Sequence, residues 1–241
     1  MNSNQKRPSI PEPLKRELRQ EANFGCVNCG NPIIEYHHII PWAEVKKHEK
    51  ENLVVLCPLC HHKANCGDMN KDIVLTKKKN PFNKSQTFVN EQFFLMKYDD
   101  MKIKLASNTF INVPRLLVIQ DEDIITLGKD EYGNALISAK FYNQEGVLIA
   151  QIINNEWFAY LDKGLWDIQY SPGNLKIHNK ARDIALELNT KGDIVNIKAD
   201  IYYKGSIFKM DQERLTINNN QCKFQLENVT ISDCNIGIHI N

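Results

Sequence analysis

Two Cys-x-x-Cys pairs, Cys26 with Cys29 and Cys57 with Cys60, constrain this chain more than any other feature in it. Thiolate is a soft ligand, and four sulfurs close a tetrahedral shell around one zinc ion, so the pairs predict a structural zinc joining two distant points of the chain. The 27 residues between Cys29 and Cys57 exceed the ~15–20 usual for such paired sites. The metal must therefore close around an inserted loop. A four-sulfur shell leaves no position for water, so this zinc is expected to build structure and to do no chemistry. Taken alone, the cysteines fit best a ribbon that only binds a partner.

The surroundings of the pairs change that balance. Residues 26–66 hold five of the seven cysteines and five of the seven histidines. They run through Tyr36-His37-His38-Ile39-Ile40-Pro41, then Asn52-Leu53, then Cys57-Pro58-Leu59-Cys60-His61-His62-Lys63-Ala64-Asn65. In content and order this resembles the HNH endonuclease family, whose pattern reads His-His-Ile-x-Pro, Asn-Leu and Cys-x-x-Cys-His with His or Asn four residues later. The resemblance covers roughly residues 12–65 and implies a ββα unit holding a divalent ion between its strands and its helix. It implies that His37 and His61 ligate that ion, that His38 is the general base, and that Asn52 fixes the loop and orients the base. Asn65 falls one helical turn after His61, so both can face the same ion.

The implied chemistry is coherent. A neutral imidazole, with an ordinary pKa near ~6.5, can take a proton from water around neutral pH. A divalent ion stabilises the charge developing on phosphorus and on the leaving 3′-oxygen. The first residue of the histidine pair is often Asp in relatives; His37 is softer, which admits nickel or zinc beside magnesium or manganese. His62 and Lys63 are candidate phosphate contacts, with simple exposure the alternative for His62, and Cys66 reads as a spare thiol or as a competitor of Cys57 for the structural zinc.

Charge supports this only weakly. Residues 1–85 carry 14 Lys and Arg against 9 Asp and Glu, whereas residues 86–241 carry 16 against 20. A basic front half suits a phosphate-binding module, and an acidic rear half is not expected to wrap DNA. No apolar run approaches the ~18–20 residues needed to cross a bilayer, and the N-terminus lacks the apolar stretch of a signal peptide. With an odd cysteine count, reduced thiols in a cytoplasmic protein fit better than disulfides.

Along the chain, residues 1–11 read as a disordered segment or lead-in arm. Residues 12–22 read as a helix with Pro13 in its first turn. Residues 33–38 read as the first strand, 53–56 as the second, and His61 as the start of the metal helix. Lys77, Lys78 and Lys79 read equally as a solvated face or a DNA-steering patch. Residues 92–101 are expected to form a short helix. From Met101 onward the period becomes two, over 103–105, 124–127, 136–142, 147–153, 184–188, 194–203, 215–217 and 229–240. Turns of the form Asn143-x-x-Gly146 and Asn189-x-x-Gly192, with a looser copy at Asp130-x-x-Gly133, separate them. Trp157, Phe158, Tyr160, Trp166 and Tyr170 read as core packing, and His178 and His239 as surface or packing residues.

The combined expectation is an α+β chain: a zinc-stapled ββα-metal domain over 1–100 and an all-β, sandwich-like domain over 101–241, with stacked β-helix rungs as the lesser alternative. The expected activity is metal-dependent endonucleolytic cleavage of DNA, RNA remaining open, in a restriction or phage-defence setting. The β domain would serve target recognition, homodimerisation, or control by a bound ligand or protein. The competing readings are a non-catalytic zinc-knuckle module that binds nucleic acid, and a ligand-sensing effector nuclease.

Overall fold

A computed structural model describes residues 7–190, 192–219 and 223–241. Residues 1–6 of the expected lead-in arm, and Cys222, lie outside this range. The chain divides into two compact units, Met1–Val89 and Asn90–Asn241. Among the described residues no helix is long and apolar enough to cross a membrane.

The first unit opens with α1 (Glu12–Glu21), which carries proline in its first turn, where a missing N–H costs nothing. Leu18 and Ala22 go inward, and Arg19 is buried too, donating to Glu12 Oε1 at 2.8 Å and to the Tyr36 hydroxyl at 2.7 Å. Asn23 and Phe24 then turn through positive φ and feed the first cysteine pair. The turn needs Gly25: a Cβ there would lie 2.3 Å from the Gly30 carbonyl oxygen and 2.4 Å from Asn83 Nδ2. Strands β1 (Glu35–His38) and β2 (Leu53–Leu56) pair antiparallel, with His37 opposite Val54 and His38 opposite Leu53. Between them lie the short α2 (Trp42–Val45) and a single 3₁₀ turn, Lys50–Asn52.

Every residue of β2 is buried, and it forms a core with Leu18, Ala22, Cys26, Val27, Met69 and Val74. Four aliphatic side chains buried at about 1.5–3 kcal/mol each make β2 the apolar centre of the unit. Helix α3 (Pro58–Asn65) follows, and then α4 (Lys71–Lys79), capped by the Asn70 side chain accepting from Ile73 N.

Three local expectations are corrected here. The first strand begins at Glu35 because Ile33 N is drawn into a turn, donating to Asn31 Oδ1 at 2.8 Å. Helix α3 begins at Pro58 and not at His61, because proline suits the first helical position and the Cys57 sulfur accepts from Cys60 N at the N-cap. Residues 92–101 form no α-helix, and a single 3₁₀ turn at Tyr98–Asp100 is all that is helical there. Strand β3 (Phe88–Gln92) leads into extended chain whose backbone is bound elsewhere, with Phe93 N donating to Asn155 O and Tyr98 N to Gly133 O, both at 2.9 Å.

The second unit is built of strands. In chain order these are β4 (Lys102–Leu105), β5 (Asn108–Ile111), β6 (Arg115–Ile119), β7 (Glu122–Lys129), β8 (Ala135–Tyr142), β9 (Leu148–Ile153), β10 (Glu156–Tyr160), β11 (Asp167–Ser171) and β12 (Asn174–Lys180). They continue as β13 (Asp183–Asn189), β14 (Ile194–Tyr203), β15 (Ser206–Met210), β16 (Leu215–Asn218), β17 (Lys223–Leu226), β18 (Thr230–Ser232) and β19 (Ile236–Ile240).

One sheet has seven strands in the order β19-β6-β7-β8-β9-β10-β3. The other has ten: β11 through β17 in sequence, with β4, β5 and β18 branching from β14. Alternation of buried and half-buried residues along β8, and along β14 as far as Tyr202, marks one face of each as core. The Asn143 turn is as read, its Oδ1 accepting from Glu145 N and Val147 N with Gly146 at φ 72°.

The rung-like tail has a partial counterpart. Strands β18 and β19 pair parallel with β5 and β6, so two consecutive strands cross from one sheet to the other side by side with an earlier pair. The crossing is tied by Asn112 Nδ2 donating to Asp233 Oδ1 at 2.9 Å. Trp157 is buried in this unit, 5.1 Å from the Tyr170 ring.

Candidate metal centre and cleavage site

The four sulfurs of Cys26, Cys29, Cys57 and Cys60 all lie within 4.8 Å of one another. Cys29 Sγ is 3.7 Å from Cys57 Sγ and 3.9 Å from Cys60 Sγ. Tetrahedral zinc with bonds near 2.3 Å sets sulfurs ~3.8 Å apart, so the donor set fits one zinc ion. Burial pushes the Cys26 thiol up, and the Cys29 thiol up to about 11. Crowded thiolates therefore need a cation among them, which a dication supplies. Asn28 Nδ2 donates to Cys60 Sγ at 3.3 Å, a second-layer contact that steadies the sulfur.

A separate cavity of about 480 Å³ opens on the other side of α3. Its lining includes Arg7, His37, His38, Trp42, His61 and Asn65. The His37 and His61 rings stand edge to face with centroids 4.9 Å apart. Burial and the neighbouring His61 hold His37 below the usual histidine range, which keeps it in the neutral, ligating form. His61 Nδ1 is bonded to Glu35 Oε2. A carboxylate only accepts, so Nδ1 carries the hydrogen and Nε2 is left with its lone pair for a metal.

His38 points to the same cavity from the end of β1. Burial first, then Arg7, His48 and His37, bring its pKa down to about 4. The Arg7 guanidinium donates to His38 Nδ1 at 2.7 Å, and His38 Nε2 lies 3.2 Å from His48 Nδ1. His48 Nε2 in turn donates to the Pro8 carbonyl oxygen at 2.9 Å. Residues 7 and 8 of the expected disordered arm are thus seated against the site. Asn52 does not line the cavity. It is buried behind it, its Oδ1 accepting from Ile40 N at 2.6 Å and its Nδ2 donating to Ile40 O at 3.0 Å. The chain leaving His38 is held by these two bonds and by Ile39 N donating to Asn52 O at 2.9 Å.

The structure does not bring His62 and Lys63 to this cavity. Both are exposed on α3; His62 lies against Cys66, its Nε2 at 3.5 Å from the sulfur, and Lys63 pairs loosely with Asp68 at 3.9 Å. Lys78 is also not part of an open lysine face. Its ammonium donates to the carbonyls of Lys50, Glu51 and Leu53, the last at 2.7 Å, and so holds the turn that carries Asn52.

Three participants escaped the sequence reading. Glu35 lies two residues before His37, on the same face of an alternating strand, and that spacing was a usable signal. His48 and Arg7 sit in irregular chain with no periodicity to mark them.

The HNH endonuclease family model matches residues 26–66. Anaredoxin of Nostoc sp. (strain PCC 7120 / SAG 25.82 / UTEX 2576) is 31% identical over 71 residues, a match covering 29% of this chain and 93% of that protein. The type IV methyl-directed restriction enzyme EcoKMcrA of Escherichia coli (strain K12) is 30% identical over 71 residues, 25% of this chain and 26% of that enzyme. No solved structure matches the chain. Through its N-terminal unit, over residues 26–66, the chain belongs to the HNH endonuclease family.

Proposed function

We propose that the protein is a metal-dependent endonuclease that hydrolyses DNA phosphodiester bonds at the cavity bounded by β1 and α3. The observation that carries this reading is the convergence of His37, His61, Asn65 and His38 on that one cavity. A divalent ion held there by His37, His61 and Asn65 supplies charge stabilisation for the phosphorus and the leaving oxygen. His38 accepts the proton of the attacking water. Asn52 keeps the chain beyond His38 in place, and Glu35 keeps His61 turned toward the ion. The four cysteines hold a zinc that ties the turn at Cys26 and Cys29 to the start of α3 and takes no part in the reaction.

The donor set of two imidazoles and an amide suits magnesium or manganese and also admits nickel or zinc. Residues 1–89 act as the cutting domain, and residues 90–241, built of two sheets, supply target recognition, dimerisation or control. The methyl-directed restriction enzyme among the relatives, of which the match spans 26%, supports a restriction or defence role for the first unit.

A plasmid-nicking assay with Mg²⁺ or Mn²⁺ tests the reading. Wild-type protein is expected to cut, and His38→Ala to cut about 10²–10⁴-fold more slowly with its fold intact. Absence of cutting by the wild type on DNA and RNA with each of the four metals would instead leave a module that only binds nucleic acid.

A further inference from the structure

We propose that His48 is a positioning residue for His38: it locks the His38 ring with Nδ1 directed to the cavity and Nε2 directed away from it. This rests on the reading of His38 as the base.

The hydrogen bonds run in one direction. A guanidinium has only N–H groups to give, so His38 Nδ1, 2.7 Å from Arg7, is an acceptor. In a neutral ring the hydrogen then sits on Nε2, which faces His48 Nδ1 at 3.2 Å. His48 Nδ1 accepts it, so the His48 hydrogen sits on Nε2, and that nitrogen meets the Pro8 carbonyl oxygen at 2.9 Å. A carbonyl can only accept, which closes the sequence: every donor meets an acceptor, and a single tautomer of each ring satisfies all three bonds.

The placement gives the two nitrogens different roles. Arg7 and His38 line the cavity and His48 does not. The nitrogen bonded to Arg7 is the one on the cavity side, where a water takes its lone pair once the Arg7 guanidinium turns aside to bind phosphate; the nitrogen facing His48, with the Lys47 backbone also bonded to the ring, is the anchored one. His48 is itself held by the Trp42 indole, whose ring lies 4.5 Å away and is tilted by 31°. The His38 ring stands 5.2 Å from His48 and 5.7 Å from Trp42. Trp42 and His48 thus form a wall behind the base. His48 touches neither the cavity nor the ligands of the ion, and so it acts only through His38.

The test compares the full-length protein, wild type, His38→Ala, His48→Leu and His48→Gln, in steady-state cutting of a plasmid with Mn²⁺. Glutamine can repeat both bonds, accepting from His38 with Oε1 and donating to Pro8 with Nε2, whereas leucine can make neither. For His48→Leu we expect kcat to fall by up to about 100-fold, as misaligned reacting groups do, with KM changed less than about twofold and thermal unfolding close to wild type. His48→Gln is expected to recover kcat to within about threefold of wild type. Wild-type kcat in His48→Leu, or a folded His48→Gln that is as slow as His48→Leu, would overturn the assignment. If His48→Leu does not fold, His48→Gln decides alone: recovered kcat supports the role and lost kcat overturns it. Failure of the underlying reading is distinct, since it shows as wild-type protein that does not cut or as His38→Ala that still does.

Discussion

Glu35 carries a consequence out of proportion to its size. Its bond to His61 Nδ1 sets which nitrogen of His61 is free, and carboxylates placed behind metal-bound histidines typically contribute 10–100-fold in metal affinity. Glu35→Gln is therefore expected to raise the Mn²⁺ concentration for half-maximal cutting by about 10-fold or more, with the maximal rate less affected. A metal titration of the cutting rate checks this, and an unchanged midpoint would remove Glu35 from the site. A second outcome follows from His38. Its pKa lies at about 4, lowered by burial and by the Arg7 charge beside it. The neutral, proton-accepting form thus persists as pH falls through the ordinary histidine value near ~6.5 and is lost only toward about 4. At saturating Mn²⁺ the acid limb of the rate should lie well below 6.5, and Arg7→Ala should move it upward. A wild-type limb centred at 6.5 would contradict the packing around His38. That His37, His38, His61 and Asn65 would come together was expected from the motif they form, and they line one cavity. Arg7 reaches His38 across 31 residues, and nothing in its neighbours on the chain announces that approach.

At the scale of elements, α4 holds the turn before β2. Lys78 binds three backbone carbonyls of residues 50–53, and burial pulls its ammonium below the usual lysine range. Lys78→Met takes the ammonium from all three carbonyls, only Lys50 O keeping a bond from Leu53 N, at a cost of about 1–3 kcal/mol, whereas exposed Lys79→Ala should change stability by less than ~0.5 kcal/mol. Chemical denaturation of the two variants separates a solvated lysine run from a helix used as a clamp. The run of three lysines could not show this, because Lys77, Lys78 and Lys79 look alike until α4 is rotated against β2. The same limit applies to the β region. Strands β7, β8, β9, β13 and β14 were legible from apolar alternation and from the Asn-x-x-Gly turns. Strand β12 was not, since Asn174-Leu-Lys-Ile-His-Asn-Lys buries only Leu175 and Ile177. Strands β5 and β6 were hidden by the corner at Asn112-Val113-Pro114, which breaks the period where the chain changes sheet.

For the whole molecule, the two compact units and the four-sulfur site lead to different responses to metal removal. A zinc held by the four cysteines would add to β2 in holding the small first unit together, since structural zinc can contribute ~10 kcal/mol or more. A strong chelator is expected to abolish the helical signal and expose residues 1–89 to proteolysis, while the sheets of residues 90–241 persist. Circular dichroism and limited proteolysis read the two units separately; loss of both together would show that they fold as one. Gly237 marks the other end of the chain. A Cβ there would lie 2.7 Å from the Phe110 ring, because β18 and β19 lie directly on β5 and β6. Gly237→Ala should therefore cost about 1–3 kcal/mol through overpacking, seen as a lowered Tm of the second unit. That pairing also sets an order of events during synthesis on the ribosome. Thr109 must wait for Thr230, and Leu117 for Ile238, so neither sheet can be completed until the final strands have emerged. The cysteine and histidine cluster lies within residues 26–66, and Phe82 and Asn83, bonded to Val27, Asn23 and Gly30, brace its first turn, so a nascent chain can hold the assembled first unit, Met1–Val89, while its larger half is still unfinished.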